Sequence, residues 1–233
     1  MVENVDDSIN PELLAVLDSA ARLQELIPDA VLVGGTVAAL YAGHRLSYDH
    51  DHVVADLRQR FDVALEALER EPDWVMNRVT PGKIILGELG DIEAGVRQLI
   101  RTRPLETREI ELPSGQRIVV PTRDEILRIK AFLIVRRNQT RDYLDVAALS
   151  QNYGVERTAT VLSGIDQWYA DETKDGTPVS TQLARQLADP RPADLSKVNL
   201  AEYKKLSKQW HNWNSVKNQI QHVAAHMSIP AEG

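Results

Sequence analysis

Hydrophobic and polar positions divide the chain into two stretches of different rhythm. In the first, short apolar runs alternate with glycine and proline. Residues 8–27 place Leu13, Leu14, Leu17, Ala21 and Leu26 on one helical stripe, with Ser8 as cap, Pro11 in the first turn and Pro28 as the stop. The apolar run Val31–Val33 ends at Gly34 and Gly35. A helical patch of Val37, Leu40 and Tyr41 follows, closed by Gly43. Residues 47–54 alternate as a strand, and residues 57–69 form an amphipathic helix with Phe61, Leu65 and Leu68 inward. Residues 74–76, 83–89 and 92–100 read as strands punctuated by Pro81, Gly82 and Gly90. Two more, 109–112 and 117–120, flank the turn Pro113-Ser114-Gly115. Residues 29–121 are therefore expected to form a mixed sheet with helices against it.

From Thr122 the period becomes helical. Thr122 and Glu125 make a capping box, so a helix starts near Arg123 with Ile126, Ile129, Phe132 and Leu133 as its stripe. Lys130 sits at the edge of that stripe, where it can bury its stem and extend its ammonium. A polar loop, 136–140, leads to a second helix over 141–149, on which Asp142 and Asp145 share a face. Further helices are predicted over 157–170, with Val161, Leu162, Ile165 and Trp168 inward, and over 181–188, with a loop at 171–180 between them. A long final helix over 201–227 carries Tyr203, Leu206, Trp210, Trp213, Val216, Ile220, Val223 and Met227 at helical spacing. Lys204, Lys205, Lys208 and Lys217 interleave with its aromatics, a pattern able to stack on single-stranded RNA, although such a stripe is read first as core. His211, His222 and His226 do not make a metal site. There is no internal repeat. The fold class is α+β, with a sheet domain over residues 1–121 and a helical domain over 122–233.

Composition narrows the classes. Of 233 residues, 43% are hydrophobic and 26% charged, as in an ordinary soluble globular protein. The absence of cysteine removes disulfides, thiolate metal sites and cysteine nucleophiles. An acidic start and the lack of any run of membrane-spanning length predict a cytoplasmic protein with no membrane partner. A net charge of −7 opposes non-specific nucleic-acid binding by the whole molecule. Between residues 95 and 141, however, eleven Lys or Arg face five Asp or Glu, a local net of +6 that would draw an anionic partner.

Candidate chemistry centres on the strand over 47–54. Alternation puts Asp49 and Asp51 on one face, about 7 Å apart along the strand. Carboxylates held so close repel unless a cation lies between them, and hard oxygen ligands suit Mg²⁺, with Mn²⁺ as the alternative. Gly34 and Gly35 let backbone N–H groups approach a ligand, and a helix beginning there directs its positive end at an anion. A phosphate cradle one helix away from an acid pair is what metal-assisted phosphoryl or nucleotidyl transfer requires. A third acid from a neighbouring strand would complete the metal cage or accept a proton. Glu93, within its strand, is favoured over Asp91, which belongs to the Gly90 turn.

The series G-G-T, a helix, G-H-R-x-S and D-x-D resembles the polymerase-β-like nucleotidyltransferases, and most closely the AbiEii/MenT toxins of type IV toxin–antitoxin systems. The resemblance implies catalytic Mg²⁺ ions on Asp49 and Asp51, NTP phosphates over Gly34, Gly35 and Thr36, and Arg45 and Ser47 beside the triphosphate. The residue between the aspartates is more usually apolar in that family; here it is His50, with His52 after the pair. Lys130, eleven intervening residues, Asp142 and then Asp145 resemble the family's second block. There the lysine reaches the phosphates and the later aspartate is required for activity, roles that fall on Lys130 and Asp145. Asp142 is then expected to hold Arg141 or Lys130. A compact lysine charge can follow a triphosphate as its leaving group departs.

The expectation is a nucleotidyltransferase-type sheet domain followed by a helical domain that closes the active-site cleft. It would move a nucleoside monophosphate from an NTP to a hydroxyl. By resemblance the acceptor is a tRNA 3′ end, and the protein is a toxin restrained by a cognate antitoxin. A nucleotidyltransferase acting on a small molecule or a protein, and a non-catalytic interaction module of the same fold, are the alternatives. Neither the preferred NTP nor the acceptor is written in these residues.

Overall fold

The computed structural model describes residues 3, 4, 9–172 and 176–228. In chain order the elements are β1 (Glu3–Asn4), α1 (Pro11–Leu26), β2 (Val31–Val33), α2 (Gly34–Ala42), β3 (Asp49–Val54), α3 (Phe61–Glu69), β4 (Trp74–Thr80), β5 (Ile84–Leu89), β6 (Ile92–Gln98), β7 (Thr107–Glu111) and β8 (Arg117–Pro121). The helices α4 (Arg123–Arg137), α5 (Thr140–Tyr153), α6 (Val155–Ser163), α7 (Asp166–Tyr169), α8 (Val179–Ala188) and α9 (Trp213–His226) complete the chain. The class is α+β, as the alternation of rhythms predicts. Two compact units form: Met1–Leu40 with Leu46–Thr122, and Tyr41–Arg45 with Arg123–Gly233.

In the first unit, five strands lie in the order β2-β3-β6-β5-β4, with β3 and β6 parallel and the other pairs antiparallel. Strand β3 alternates between a half-buried face bearing Asp49 and Asp51 and a buried face bearing His50, His52 and Val54. Leu23 of α1 and Ile27 just after it, with Phe61, Ala64 and Leu68 of α3, cluster with Val54, Ile85, Leu89, Ala94 and Val96 of the strands. Trp74 lies over Gly87, where an added Cβ would stand 2.4 Å from the indole. The expectation of one mixed sheet across residues 29–121 needs amendment, because β7 and β8 join β1 in a second, three-stranded sheet. At Val119 the amide of Gln24 bonds both the N–H (2.7 Å) and the carbonyl (2.9 Å) of β8. That pairing occupies the edge on which another strand would otherwise add, and no periodicity in the sequence announces it.

In the second unit α4 packs on α5, α6 and α8, while α9 packs on α5, α6 and α8. Leu127, Ile134, Leu144, Leu162, Leu187 and Ile220 are among its fully buried side chains.

Several boundaries shift for local reasons. The cap of α1 is Asn10, whose Oδ1 accepts from Glu12 N at 2.8 Å; the expected cap, Ser8, lies outside the described residues. The helix expected from residue 57 begins at Phe61, since Asp56 O accepts from Gln59 N and Arg60 N in a turn. The helix expected over 157–170 breaks at Gly164 into α6 and α7. The expected loop at 171–180 contains a helical turn at Ala170–Glu172 and the start of α8; residues 173–175 are outside the description. The single final helix fails at Lys204 and Lys205, whose φ values of 44° and 51° lie in the left-handed region. Helical turns at Leu200–Glu202 and Lys208–Trp210 replace its first half, and Asn212 caps α9. Leu206 and Trp210 are nonetheless buried, so the apolar spacing reports burial there rather than helix.

Burial holds His50 and His52 neutral. Loss of hydration pushes His50 down to about 4, against a smaller upward pull from Asp49, and takes His52 well below the ordinary histidine range. Their unfolded counterparts take up protons near pH 6.5, so the unfolded state binds more protons and stability falls as pH drops through that region. From pH 7 to pH 5, His50 alone should remove about 2 kcal/mol of stability, given its folded value of about 4. Urea titrations across that interval should show the loss. His50→Gln, which keeps reach toward Ser19 Oγ (3.0 Å from His50 Nε2) but does not titrate, should lessen the loss by about that amount and leave the share contributed by His52.

Candidate active site

Two groups of polar side chains stand out, one in each unit. The first is built on the pleat of β3. Asp51 pairs in register with Val33 of β2 and Gly95 of β6; Asp49 pairs with Glu93. Gly34, the first residue of α2, has φ +80°, and a Cβ there would lie 3.5 Å from Asp51 Cβ and Oδ2. The opening N–H groups of α2 have no partner within the helix itself, and they start beside this acid. Gly95 is equally constrained: a Cβ would stand 2.7 Å from Asp51 Oδ1. Arg97, two residues along, places Nε 3.2 Å from the same oxygen.

Neighbouring hydroxyls are already committed. Ser47 Oγ donates to Asp49 Oδ1 at 3.1 Å, and Thr36 Oγ1 donates to the Asp49 carbonyl at 2.5 Å. Thr36 and Ser47, expected near phosphates, are both buried and brace the first aspartate. Glu93 is exposed on the strand beside Asp49, whereas Asp91 lies in the turn before β6. Among the described residues, no group of three or more His, Asp or Glu is gathered as a metal-ligand set. Asp49 and Asp51 nevertheless suit a hard divalent cation by donor type: two half-buried carboxylates on one face, with the missing side chain of Gly95 giving the Asp51 carboxylate its room. Mg²⁺ is commonly held by one or two carboxylates and completed by water and substrate phosphates.

The second group surrounds Asp145. This carboxylate is fully buried, and four bonds converge on it. Oδ1 meets His44 Nε2 at 2.8 Å and Arg45 Nε at 2.9 Å; Oδ2 meets Lys130 Nζ at 2.8 Å and Arg45 Nη2 at 3.1 Å. Burial alone would raise the carboxyl, but Arg45 and Lys130, with the His44 bond, hold it well below the usual range. Burial lowers His44, outweighing Asp145, so its ring is neutral near pH 7. Asp142 instead takes Arg137 through two bonds of 2.6 and 2.7 Å, rather than Arg141 or Lys130. Lys130, expected to extend its ammonium from a stripe edge, is only 2% exposed.

The basic stretch between residues 95 and 141 is also less free than its count suggests. Arg97, Arg117, Arg128, Lys130 and Arg137 each pair with an acid. Trp210 is buried and Trp213 meets Tyr143 edge-on at 6.0 Å, so these aromatics serve the core. Sequence reasoning gave His44 no role. Its adjacency to Arg45 within G-H-R-x-S was the available signal.

No family model matches the chain. The chain is 34% identical over 205 residues to the heme uptake protein MmpL11 of Mycobacterium tuberculosis H37Rv; the match covers 77% of this chain and 20% of that protein. The chain thus spans about a fifth of the length of the curated relatives it matches. Among solved structures, it shares its fold with MenT4, a nucleotidyltransferase toxin of Mycobacterium tuberculosis H37Rv, at TM-score 0.60 and 17% identity, over 93% of this chain and 85% of that one. JHP933 of Helicobacter pylori aligns at TM-score 0.51 and 16% identity, over 94% of both chains. The chain has the nucleotidyltransferase fold. Among the described residues, no helix is long and apolar enough to cross a membrane.

Removing the charge of Asp145 leaves Arg45 and Lys130 buried without their carboxylate. Asp145→Asn should therefore cost about 3–5 kcal/mol in urea denaturation. Asp145→Asn combined with Lys130→Met, which removes one of the stranded charges, should recover part of that loss.

Proposed function

We propose that the protein is a metal-dependent nucleotidyltransferase that moves a nucleoside monophosphate from an NTP to a hydroxyl acceptor. The observation that carries this reading is the placement of Asp49 and Asp51 on one face of β3, with the glycine that opens α2 against Asp51. The fold shared with a nucleotidyltransferase toxin supports it.

In this reading the N–H groups at Gly34 and Gly35 receive phosphate oxygens, helped by the positive end of α2. Thr36 and Ser47 hold Asp49 in position through its carbonyl and carboxylate. Asp49 and Asp51 would hold Mg²⁺, or Mn²⁺, which when bound polarises phosphoryl oxygens and offsets their charge. Lys130 and Arg45 supply positive charge to the triphosphate, and Asp145 fixes both. The acceptor oxygen bonds to the α-phosphorus while the bond from that phosphorus to the oxygen bridging the β-phosphate breaks. Pyrophosphate departs with that oxygen. The hydroxyl proton passes to a carboxylate, for which Glu93, the register partner of Asp49, is the candidate.

We assign the acceptor as a tRNA 3′ end and the protein as the toxin of a cytoplasmic toxin–antitoxin pair. Support comes from the resemblance of both sequence blocks and from the fold shared with MenT4.

Incubation with each radiolabelled NTP, Mg²⁺ and total tRNA should place label in tRNA. Asp49→Asn and Asp51→Asn should each lower that labelling on the order of a hundredfold or more. Label in a small molecule or a protein would replace the acceptor and keep the chemistry. No label and no Mg²⁺-dependent NTP binding would leave an interaction module with this fold.

A further inference from the structure

The reaction just described leaves His44 without an assignment. Its side chain is 1% exposed, its ring Nε2 lies 2.8 Å from Asp145 Oδ1, and its Nδ1 is buried with no hydrogen-bond partner. Its carbonyl accepts from Ser207 N at 2.8 Å, which pins the backbone as well. An ionised carboxylate only accepts, so the proton of a neutral ring must sit on Nε2. Nδ1 is then a bare lone pair. A proton there would be a buried donor with nothing to receive it, a larger penalty than an unused acceptor. Asp145 Oδ1 is shared between His44 and Arg45, and Oδ2 between Lys130 and Arg45. Four donors fill the four acceptor positions of the carboxylate, and only the His44 donor comes from a group without full charge.

We propose that His44 is a positioning residue for the phosphate-binding side chains: its Nε2–H holds the rotation of the Asp145 carboxylate, and thereby sets where the Lys130 ammonium and the Arg45 guanidinium stand. Without that bond, one oxygen of Asp145 loses a partner and the carboxylate turns toward its two cations. Lys130 and Arg45 then shift together. His44 itself touches no substrate. This proposal rests on the nucleotidyltransferase reading, since only with an NTP do the positions of Lys130 and Arg45 matter to activity.

The test compares the full-length protein with His44→Gln, whose amide can still donate to Asp145, and His44→Leu, which fills space without donating. Should the leucine variant not fold, His44→Asn, whose shorter amide stops short of Asp145, takes its place. Heteronuclear NMR of the histidine rings, assigned by the signal lost in His44→Gln, should show His44 neutral with its proton on Nε2. The non-donating variant should raise KM for the NTP, and the calorimetric Kd of a non-hydrolysable NTP analogue, about tenfold, with a smaller change in kcat. His44→Gln should return both to within about twofold of wild type. A proton on Nδ1, unchanged NTP affinity in a folded non-donating variant, or no rescue by glutamine would each overturn the proposal. If the wild type itself binds no NTP, the nucleotidyltransferase reading fails instead. The ring tautomer and the stability gap between the leucine and glutamine variants would still decide whether His44 holds Asp145.

Discussion

A single buried carboxylate constrains more of this protein than any other group. Asp145 sits on α5 without exposure and would be costly as a lone charge; Arg45, Lys130 and His44 make it tolerable. Two of those partners belong to Tyr41–Arg45, a segment that groups with the helical unit although the chain on both sides of it belongs to the sheet unit. The segment ends α2, the helix opened by Gly34, and after Arg45 only Leu46, Ser47 and Tyr48 precede Asp49. The chain between the glycine turn and the acid pair thus runs through a segment whose own bonds to Asp145 are made within the helical unit. Its value as net stability is modest, since buried ion pairs often do no better than apolar replacements. Its value as a positional constraint is larger: three different side chains must converge on two oxygens for the charge to be tolerated at all.

Strand β3 solves a different problem by division of faces. One face presents acids to solvent and the other buries two imidazoles, with His50 and His52 edge to face at 5.2 Å. An apolar residue between the acids would give a simpler core. Histidine there stays neutral through burial, bonds Ser19, and ties the strand to α1. The sensitivity of the core to acid follows from that choice and is independent of whether the acid pair works on a substrate.

Much of this was legible from residues alone, for reasons that differ by position. The same-face placement of Asp49 and Asp51 follows from strand period, which any β-strand enforces. The convergence of Lys130 and Asp145 was indicated by their order in two adjacent helices, yet the outcome was a closed ion pair rather than an extended ammonium. Spacing gives the face of a helix but not the depth at which a neighbour will cover it. Asp142 shows the same limit: helical period placed it beside Asp145, while Arg137, five residues back, took it. The second sheet was hidden because Gln24 reaches Val119 across 95 positions, a contact that no local pattern encodes. In the final third, Leu206 and Trp210 keep helical spacing while Lys204 and Lys205 adopt left-handed backbone, so burial and helicity part company there.

Neither likeness nor fold fixes the chemistry. The matched MmpL11 proteins are about five times longer than the matching stretch, and one fold can host many activities. Around Asp51 the chain breaks several local rules. Aspartates are disfavoured within strands, yet two lie two residues apart on β3. Glycine weakens a strand interior by roughly 0.5–1 kcal/mol relative to alanine, yet Gly95 is held in β6 because any Cβ would strike Asp51. Gly34 uses left-handed backbone at the start of a helix, where it comes against the same aspartate. These three departures from local preference meet at one carboxylate, Asp51. Proteins concentrate such departures where a ligand must be received. The acid pair and its glycine turn are therefore the part of the chain on which a functional account has to stand.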